Sequence, residues 1–340
     1  MSGPAELKAL IRRLAGELGF CLCGVAPAAP AAHAPRFRRF LERGCHADMA
    51  WLDRDPDARC DVRNMLDGAA SVICLACSYA PVPGAPAAGH IARYARGRDY
   101  HRVLKARAGR LAAELEKVAP HLRTRICVDT APVLERELAA SAGLGWIGRN
   151  GCLVNRQFGS YLLLAEIVTN LPLPADDPQP SRCGSCRACV DACPTGAIRD
   201  DGLVDCRRCL SYLTIEHRRG IDEAFRQAVG GRVFGCDTCQ EVCPYNRRAP
   251  AGDAELRGPT ELAAAGVLEM LLWTGGDWDR LTRDSAGRRA TFEMYLRNAA
   301  LAAGNGPGAA ARPALEHLAG HPASMVAEAA RWALGRLRGV

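Results

Sequence analysis

Cys183-Gly-Ser-Cys186-Arg-Ala-Cys189-Val-Asp-Ala-Cys193-Pro194 and, further along, Cys236-Asp-Thr-Cys239-Gln-Glu-Val-Cys243-Pro244 are two copies of one cysteine spacing. Three thiolates at steps of three let a short loop wrap a cubane cluster, while the fourth, followed by proline, reaches across to a neighbouring cluster. A structural zinc site needs only four ligands, commonly two paired-cysteine knuckles. The two motifs supply seven thiolates, too many for one metal and one short of two [4Fe-4S] clusters. Stepping back three residues from Cys236 gives Val233, so the second copy must borrow its leading ligand. Cys206 and Cys209 are the nearest sources, and the spacing alone does not choose between them. The repeat also argues against structural zinc or a disulfide framework.

Working outward, the chain of 340 residues is long enough for two or three domains and is more than a bare ferredoxin. About half of its 17 cysteines lie in the cluster motifs and the rest are scattered singly, which points to a reducing, cytoplasmic setting. Met1 to Lys8 has no cationic start leading into an apolar run, and no later segment reaches membrane-spanning length, so no membrane association is expected. The formal charge of +7 is compatible with a nucleic-acid partner and does not by itself establish one.

Upstream of the motifs, Leu7, Leu10, Ile11, Leu14 and Leu18 recur at helical spacing, and Phe20 to Val25 reads as a strand. A basic helix follows over 36–43. Ser71 to Tyr79 is a near-continuous apolar run, as expected of a central strand. An amphipathic helix over 102–118, a strand at 126–128, a helix over 133–142 and a strand over 161–168 complete an α/β unit with a sheet covered on both faces. This unit is expected over 1–180, a ferredoxin-like insert over 181–247 and a helical region over 248–340. In the last region, faces led by Phe292, Leu315 and Met325 are broken at Gly304–Gly306 and Gly320–Pro322, in the manner of a HEAT-type helix pair. One such unit cannot bury its own core and should pack on the main body.

Several motifs ask to be weighed. Gly143-Leu-Gly145-Trp-Ile-Gly148 matches the dinucleotide fingerprint by letters, but it follows a helix and does not open one. It reads instead as a loop whose backbone approaches something closely. Asp99-Tyr-His101 begins a corrin lower-ligand signature whose glycine is replaced by Leu104, so His101 reads as a structural or surface histidine, as does His217. Asp129 follows an apolar strand; it caps the next helix or acts as a general acid whose pKa burial would raise. The eight cysteines at 21, 23, 45, 60, 74, 77, 127 and 152 suit small buried hydrophobes. Arg218, Arg219, Arg280, Arg283, Arg288, Arg289 and Arg297 are candidate phosphate contacts.

Taken together, Arg93 to His101, Val128-Asp-Thr-Ala-Pro132 with Glu135-Arg136, Gly143 to Asn150, Asp205 to Glu216, Gly235 to Asn246 and Arg297-Asn298 resemble the epoxyqueuosine reductase family over nearly the whole length. The resemblance implies an α/β cobalamin-binding domain with an inserted two-cluster ferredoxin-like domain and a C-terminal α-helical HEAT-like repeat. It implies base-off cobalamin between the α/β domain and the clusters, and as substrate a tRNA carrying epoxyqueuosine in its anticodon loop. It places the proton donor on Asp129 and the borrowed ligand on Cys209. The ligand sets are then Cys183, Cys186, Cys189 and Cys243 for one cluster, and Cys193, Cys209, Cys236 and Cys239 for the other. Arg59, Tyr94, Asp129, Asn150, Leu153, Ser211 and Gly235 match corrin-lining positions, and Arg218 a tRNA contact. An external low-potential electron donor and a monomeric state are expected. A corrin-dependent reductive dehalogenase would share the cofactors without needing a basic helical tail. An electron carrier would not need the α/β unit, nor a tRNA-binding module eight metal thiolates.

Overall fold

The computed structural model describes residues 3–86, 89–306 and 308–338; Met1 and Ser2, and the last two positions of the expected helical region, lie outside them. Four strands, β1 (Leu22–Pro27), β2 (Ser71–Ser78), β3 (Thr124–Cys127) and β6 (Leu162–Thr169), form one sheet in the order β1-β2-β6-β3. Between β3 and β6 a hairpin pairs β4 (Trp146–Ile147) with β5 (Leu153–Val154). Every neighbouring pair in the main sheet is antiparallel. The sheet is covered on both faces, as expected, with its strands running antiparallel. A sheet buried on both faces produces the same unbroken apolar runs in either direction.

Alternation sorts the strand residues onto two faces. Ile73, Leu75, Cys77, Leu163, Ala165 and Ile167 pack with Ile11 and Ala15 of α1 (Pro4–Glu17) and with Leu104, Ala108, Leu111 and Leu115 of α2 (Tyr100–Glu116). Val72, Cys74, Ala76, Leu164 and Val168 pack with Leu138 and Ala139 of α3 (Glu135–Ser141). The glycine-rich loop does approach something closely, namely its own hairpin: a Cβ on Gly145 would sit 2.2 Å from the Val154 carbonyl oxygen.

The cysteine-rich segment has little regular structure. It is tied to the sheet domain by a parallel bridge between Ile91 and Phe234, and the Gln240 side-chain amide donates to the Ser160 carbonyl at 2.8 Å. Its α4 (Leu210–Ile215) lies against α5 (Phe292–Asn305), which packs on α6 (Ser324–Arg338). Arg297, offered above as a phosphate contact, is fully buried on α5. Its guanidinium donates to the carbonyls of Leu213 and His217, both at 2.7 Å, and of Arg219. Asn298 donates to Thr214 and Val233 carbonyls at 2.9 and 2.7 Å. The last carbonyls of a helix have no partner within it, so α5 supplies donors to the end of α4. Among the other tail arginines, Arg280 pairs with Glu261, Arg283 and Arg288 with Asp279, and Arg289 with Glu216. One apolar core runs through all three segments.

Candidate functional site

After β3 the chain turns at Asp129, whose backbone is left-handed with φ +57°. A non-glycine residue there costs on the order of 1–2 kcal/mol, least for Asp and Asn. The turn aims the carboxylate at His101 near the start of α2: Nε2–H of His101 donates to Asp129 Oδ2 at 3.1 Å. On the other side of the ring, Nδ1–H donates to Asp99 Oδ1 at 2.7 Å. Asp99 is the N-cap of α2, accepting the His101 backbone amide at 3.0 Å, and Tyr100 stacks on the imidazole at 4.0 Å. Burial opposes a charge on His101, but the bonds to Asp129 and Asp99 outweigh it and push its pKa up to about 9. The same histidine bond, against desolvation, holds Asp129 below the usual carboxylate range.

Two readings change here. Asp129 caps no helix, because α3 begins at Glu135 with Leu134 as its N-cap. Nor does burial decide its pKa: the side chain is 56 % exposed, and the bond from His101 outweighs desolvation and holds the carboxyl below its usual range. Sequence reading treated His101 as structural. The usable signal was Asp99 two residues before it at a helix start, which fixes one ring nitrogen and frees the other to point outward.

Behind Asp129, its backbone N–H donates to Glu135 Oε1. Burial pushes Glu135 up to about 7, and the fully buried Glu166 of β6 beside it well above the normal range. On the cleft wall, the Tyr94 ring lies 6.2 Å from Tyr100 and 6.0 Å from Phe234. Arg59 donates to the Trp51 carbonyl at 3.2 Å and keeps a buried Nε without a partner, near enough to Glu135 to feel its charge. Arg289 sits 4.8 Å over the Trp51 ring and within electrostatic reach of Asp129. Arg218 is exposed and donates to the Arg289 carbonyl at 3.2 Å.

The remaining expected positions are more scattered. Gly235 follows Phe234, and a Cβ there would lie 2.5 Å from that of Ala92, so its smallness serves packing. Ser211 is in the first turn of α4 and Leu153 is buried in β5. Asn150 lies in the hairpin turn, where its Oδ1 accepts the Cys152 amide at 3.2 Å.

Cys183, Cys186, Cys189 and Cys243 line a single cavity of about 190 Å³, together with Asn150. Trp146 Nε1–H donates to the Cys183 sulfur at 3.4 Å. Cys209 neighbours Cys236 and Cys193, with the amides of Ser211 and Tyr212 beside its sulfur, and Cys239 neighbours Cys209 and Cys236. The Ala197 amide donates to the Cys193 sulfur at 3.3 Å. The Cys206 backbone N–H donates to the Cys45 carbonyl at 2.9 Å, and burial, then the neighbouring Cys209, pushes its thiol up to about 12. Cys152, read as a buried apolar residue, has its thiol hydrogen-bonded with that of Cys239. Among the described residues no three His, Cys, Asp or Glu side chains converge on a point suited to a single ion. A cubane asks for something different, one sulfur per corner with N–H donors around them, and both cysteine sets fit that demand.

The family described as 4Fe-4S double cluster binding domain matches residues 182–246, and that described as epoxyqueuosine reductase QueG matches 59–130. An epoxyqueuosine reductase of Salmonella typhimurium is 39% identical over 99% of this chain and 90% of that protein. One of Pseudomonas aeruginosa is also 39% identical, over 98% of this chain and 95% of that protein. Among solved structures, epoxyqueuosine reductase from Streptococcus thermophilus superposes with a TM-score of 0.87 at 29% identity, covering 98% of this chain and 90% of that one. Another epoxyqueuosine reductase, crystallised with an epoxyqueuosine-modified tRNA-Tyr stem loop, superposes with a TM-score of 0.91 at 29% identity over 98% and 91%. With identity at this level along nearly its whole length, the chain belongs to the epoxyqueuosine reductase family of oxidoreductases.

Proposed function

We propose that this chain reduces the epoxide of epoxyqueuosine at the wobble position of a tRNA anticodon to give queuosine, using cobalamin and two [4Fe-4S] clusters, with Asp129 protonating the departing oxygen. The observation that carries the proton assignment is the chain Asp99–His101–Asp129, which ends in a strained, solvent-facing carboxylate. The stem-loop complex of a relative supports the substrate.

Converting an epoxide to an alkene and water consumes two electrons and two protons. Bound cobalamin would supply a strongly reducing cobalt centre and the clusters single-electron steps; the protein supplies binding, orientation and protons. Arg59, with its unpartnered buried Nε, Tyr94, Asn150, Leu153, Ser211 and Gly235 are the residues we assign to holding the corrin. A large polar-edged group suits that wall, where a guanidinium nitrogen is left without a partner. The first cluster falls to Cys183, Cys186, Cys189 and Cys243, and the second to Cys193, Cys209, Cys236 and Cys239. As the C–O bond breaks, oxygen gains basicity; the Asp129 carboxylate takes the Nε2 proton of His101 and hands it on to that oxygen, leaving His101 neutral to be reprotonated from solvent. General acid catalysis of this kind is worth about 10²–10⁴-fold. Arg218 and its neighbours would hold phosphates while the unpaired anticodon base is splayed into the cleft.

The test is Asp129→Asn. It should keep iron content and tRNA affinity and lose at least about a hundredfold in turnover; a fully active variant removes the acid role.

A further inference from the structure

The cavity of Cys183, Cys186, Cys189 and Cys243 is lined also by Arg149 and Arg182 and by no Asp or Glu. Arg187, Arg247 and Arg248 lie within three residues of lining positions. Arg187 is spent on Asp200 at 2.8 Å and Asp191 at 3.7 Å. Arg182, Arg247 and Arg248 are exposed, and among the described residues their side chains make no hydrogen bond or ion pair. Arg54, Arg110, Arg125 and Arg156 are also exposed, but Arg182, Arg247 and Arg248 differ from them in lying on or within three residues of the lining of one thiol-bearing cavity. The rim is also fixed to the thiols. Tyr245 O–H donates to the Arg182 carbonyl at 3.1 Å, its ring meets Trp146 edge-on at 5.0 Å, and Trp146 donates to Cys183. Of the eight thiols assigned above, only Cys186 is exposed, and it lies inside this rim. The other set is linked towards Asp129 by Phe234, two residues before Cys236, whose ring lies 6.0 Å from that of Tyr94, itself within electrostatic reach of Asp129. Electrons thus have an outer end to enter and an inner end to leave.

We propose that the arginine rim is the docking surface of a small acidic one-electron carrier protein, which reduces the chain through the exposed edge at Cys186. The inference rests on reading the four cysteines as a cluster site, and adds the kind of partner that serves it. Each encounter oxidises the carrier by one electron and reduces the cluster by one; two encounters, with two protons from solvent, balance the conversion of epoxide to alkene and water. Complementary charge guides such transient encounters and raises their on-rate by about 10–10³-fold at low salt. A tRNA is the less fitting occupant, because Arg218, assigned above to a phosphate, lies beside Arg289 on the Asp129 side and electron transfer requires a donor close to the thiols.

The experiment follows bleaching of cluster absorbance of the holoenzyme by anaerobic stopped flow, with reduced acidic ferredoxin as donor and reduced methyl viologen as a small control. A triple charge reversal, Arg182→Glu, Arg247→Glu and Arg248→Glu, should slow reduction by ferredoxin at least about tenfold at low salt. The difference should vanish at high salt, lysine at the same positions should restore the rate, and viologen should still reduce the variant completely. An unchanged ferredoxin rate overturns the proposal. So does loss of tRNA affinity with ferredoxin reduction intact, which would give the rim to RNA. A protein carrying no iron, or one that viologen also fails to bleach, removes the cluster reading itself and the proposal with it.

Discussion

His101 is a histidine whose ring nitrogens both donate to carboxylates, and this sets a pH dependence with a definite sign. Its pKa rises from the ordinary 6.5 to about 9 in the folded chain. The stabilisation it contributes is therefore complete below about 6.5 and lost as pH rises through about 9. Thermal unfolding of the wild type should lose stability relative to His101→Gln across that interval, and the turnover profile should show an alkaline limb near pH 9 that the variant lacks. A limb that persists in His101→Gln would place the titrating group elsewhere. The sequence held Asp129 and the Asp99–His101 pair as separate observations; the contact between them crosses 28 positions and a strained turn, neither of which periodicity encodes. The cysteines divide in the same way. Spacing located seven thiols and left Cys206 and Cys209 open; the fold places Cys209 beside Cys193, Cys236 and Cys239, with Cys206 next to Cys209 and its backbone bonded to Cys45. Cys209→Ala should lower iron per chain, whereas Cys206→Ala and Cys152→Ala should not, as read by iron assay on anaerobically purified protein.

Strands and helices were legible because each apolar run is long and bounded by turn residues: 71–79 was expected and Ser71–Ser78 is found, 161–168 was expected and Leu162–Thr169 is found. Strand direction was not legible, since helices cover both faces and erase the alternation that would reveal an exposed side. Arg297 on α5 shows a related failure. An arginine in a basic tail reads as a surface charge, yet here its forked guanidinium bonds three carbonyls, that of Leu213 in α4 and those of His217 and Arg219 in the segment after it. Hydrogen bonds from a charged donor are worth about 1.5–3 kcal/mol each, and leaving such acceptors buried and unpaired costs more than removing both partners. Arg297→Met should therefore destabilise the chain by on the order of 3 kcal/mol or more in urea unfolding. Arg297→Lys should recover only part of it, because an ammonium cannot reach three carbonyls with one planar fork. A loss below about 0.5 kcal/mol, the usual range of a surface substitution, would mean the clamp is not formed.

Charge over the molecule is arranged in two places of different availability. The formal excess is +7, yet around the Asp129 cleft Arg219 is paired with Asp48 and Arg289 with Glu216, leaving Arg218 with only a backbone carbonyl. No described helix is long and apolar enough to cross a membrane. A tRNA held at the cleft would find few free cations, and its affinity should fall gently with salt. Each phosphate contact to single-stranded nucleic acid adds about −0.7 to the slope of log K against log salt. Arg218→Gln should weaken anticodon stem-loop binding and make that slope shallower by about 0.7 while leaving turnover at saturating tRNA unchanged, since Arg218 does not reach the Asp129–His101 pair. The charge reversal at Arg182, Arg247 and Arg248 should leave the same slope untouched. Filter binding across a salt series measures both, and a slope that responds to the second variant instead of Arg218→Gln would mean that RNA lies across the cysteine cavity.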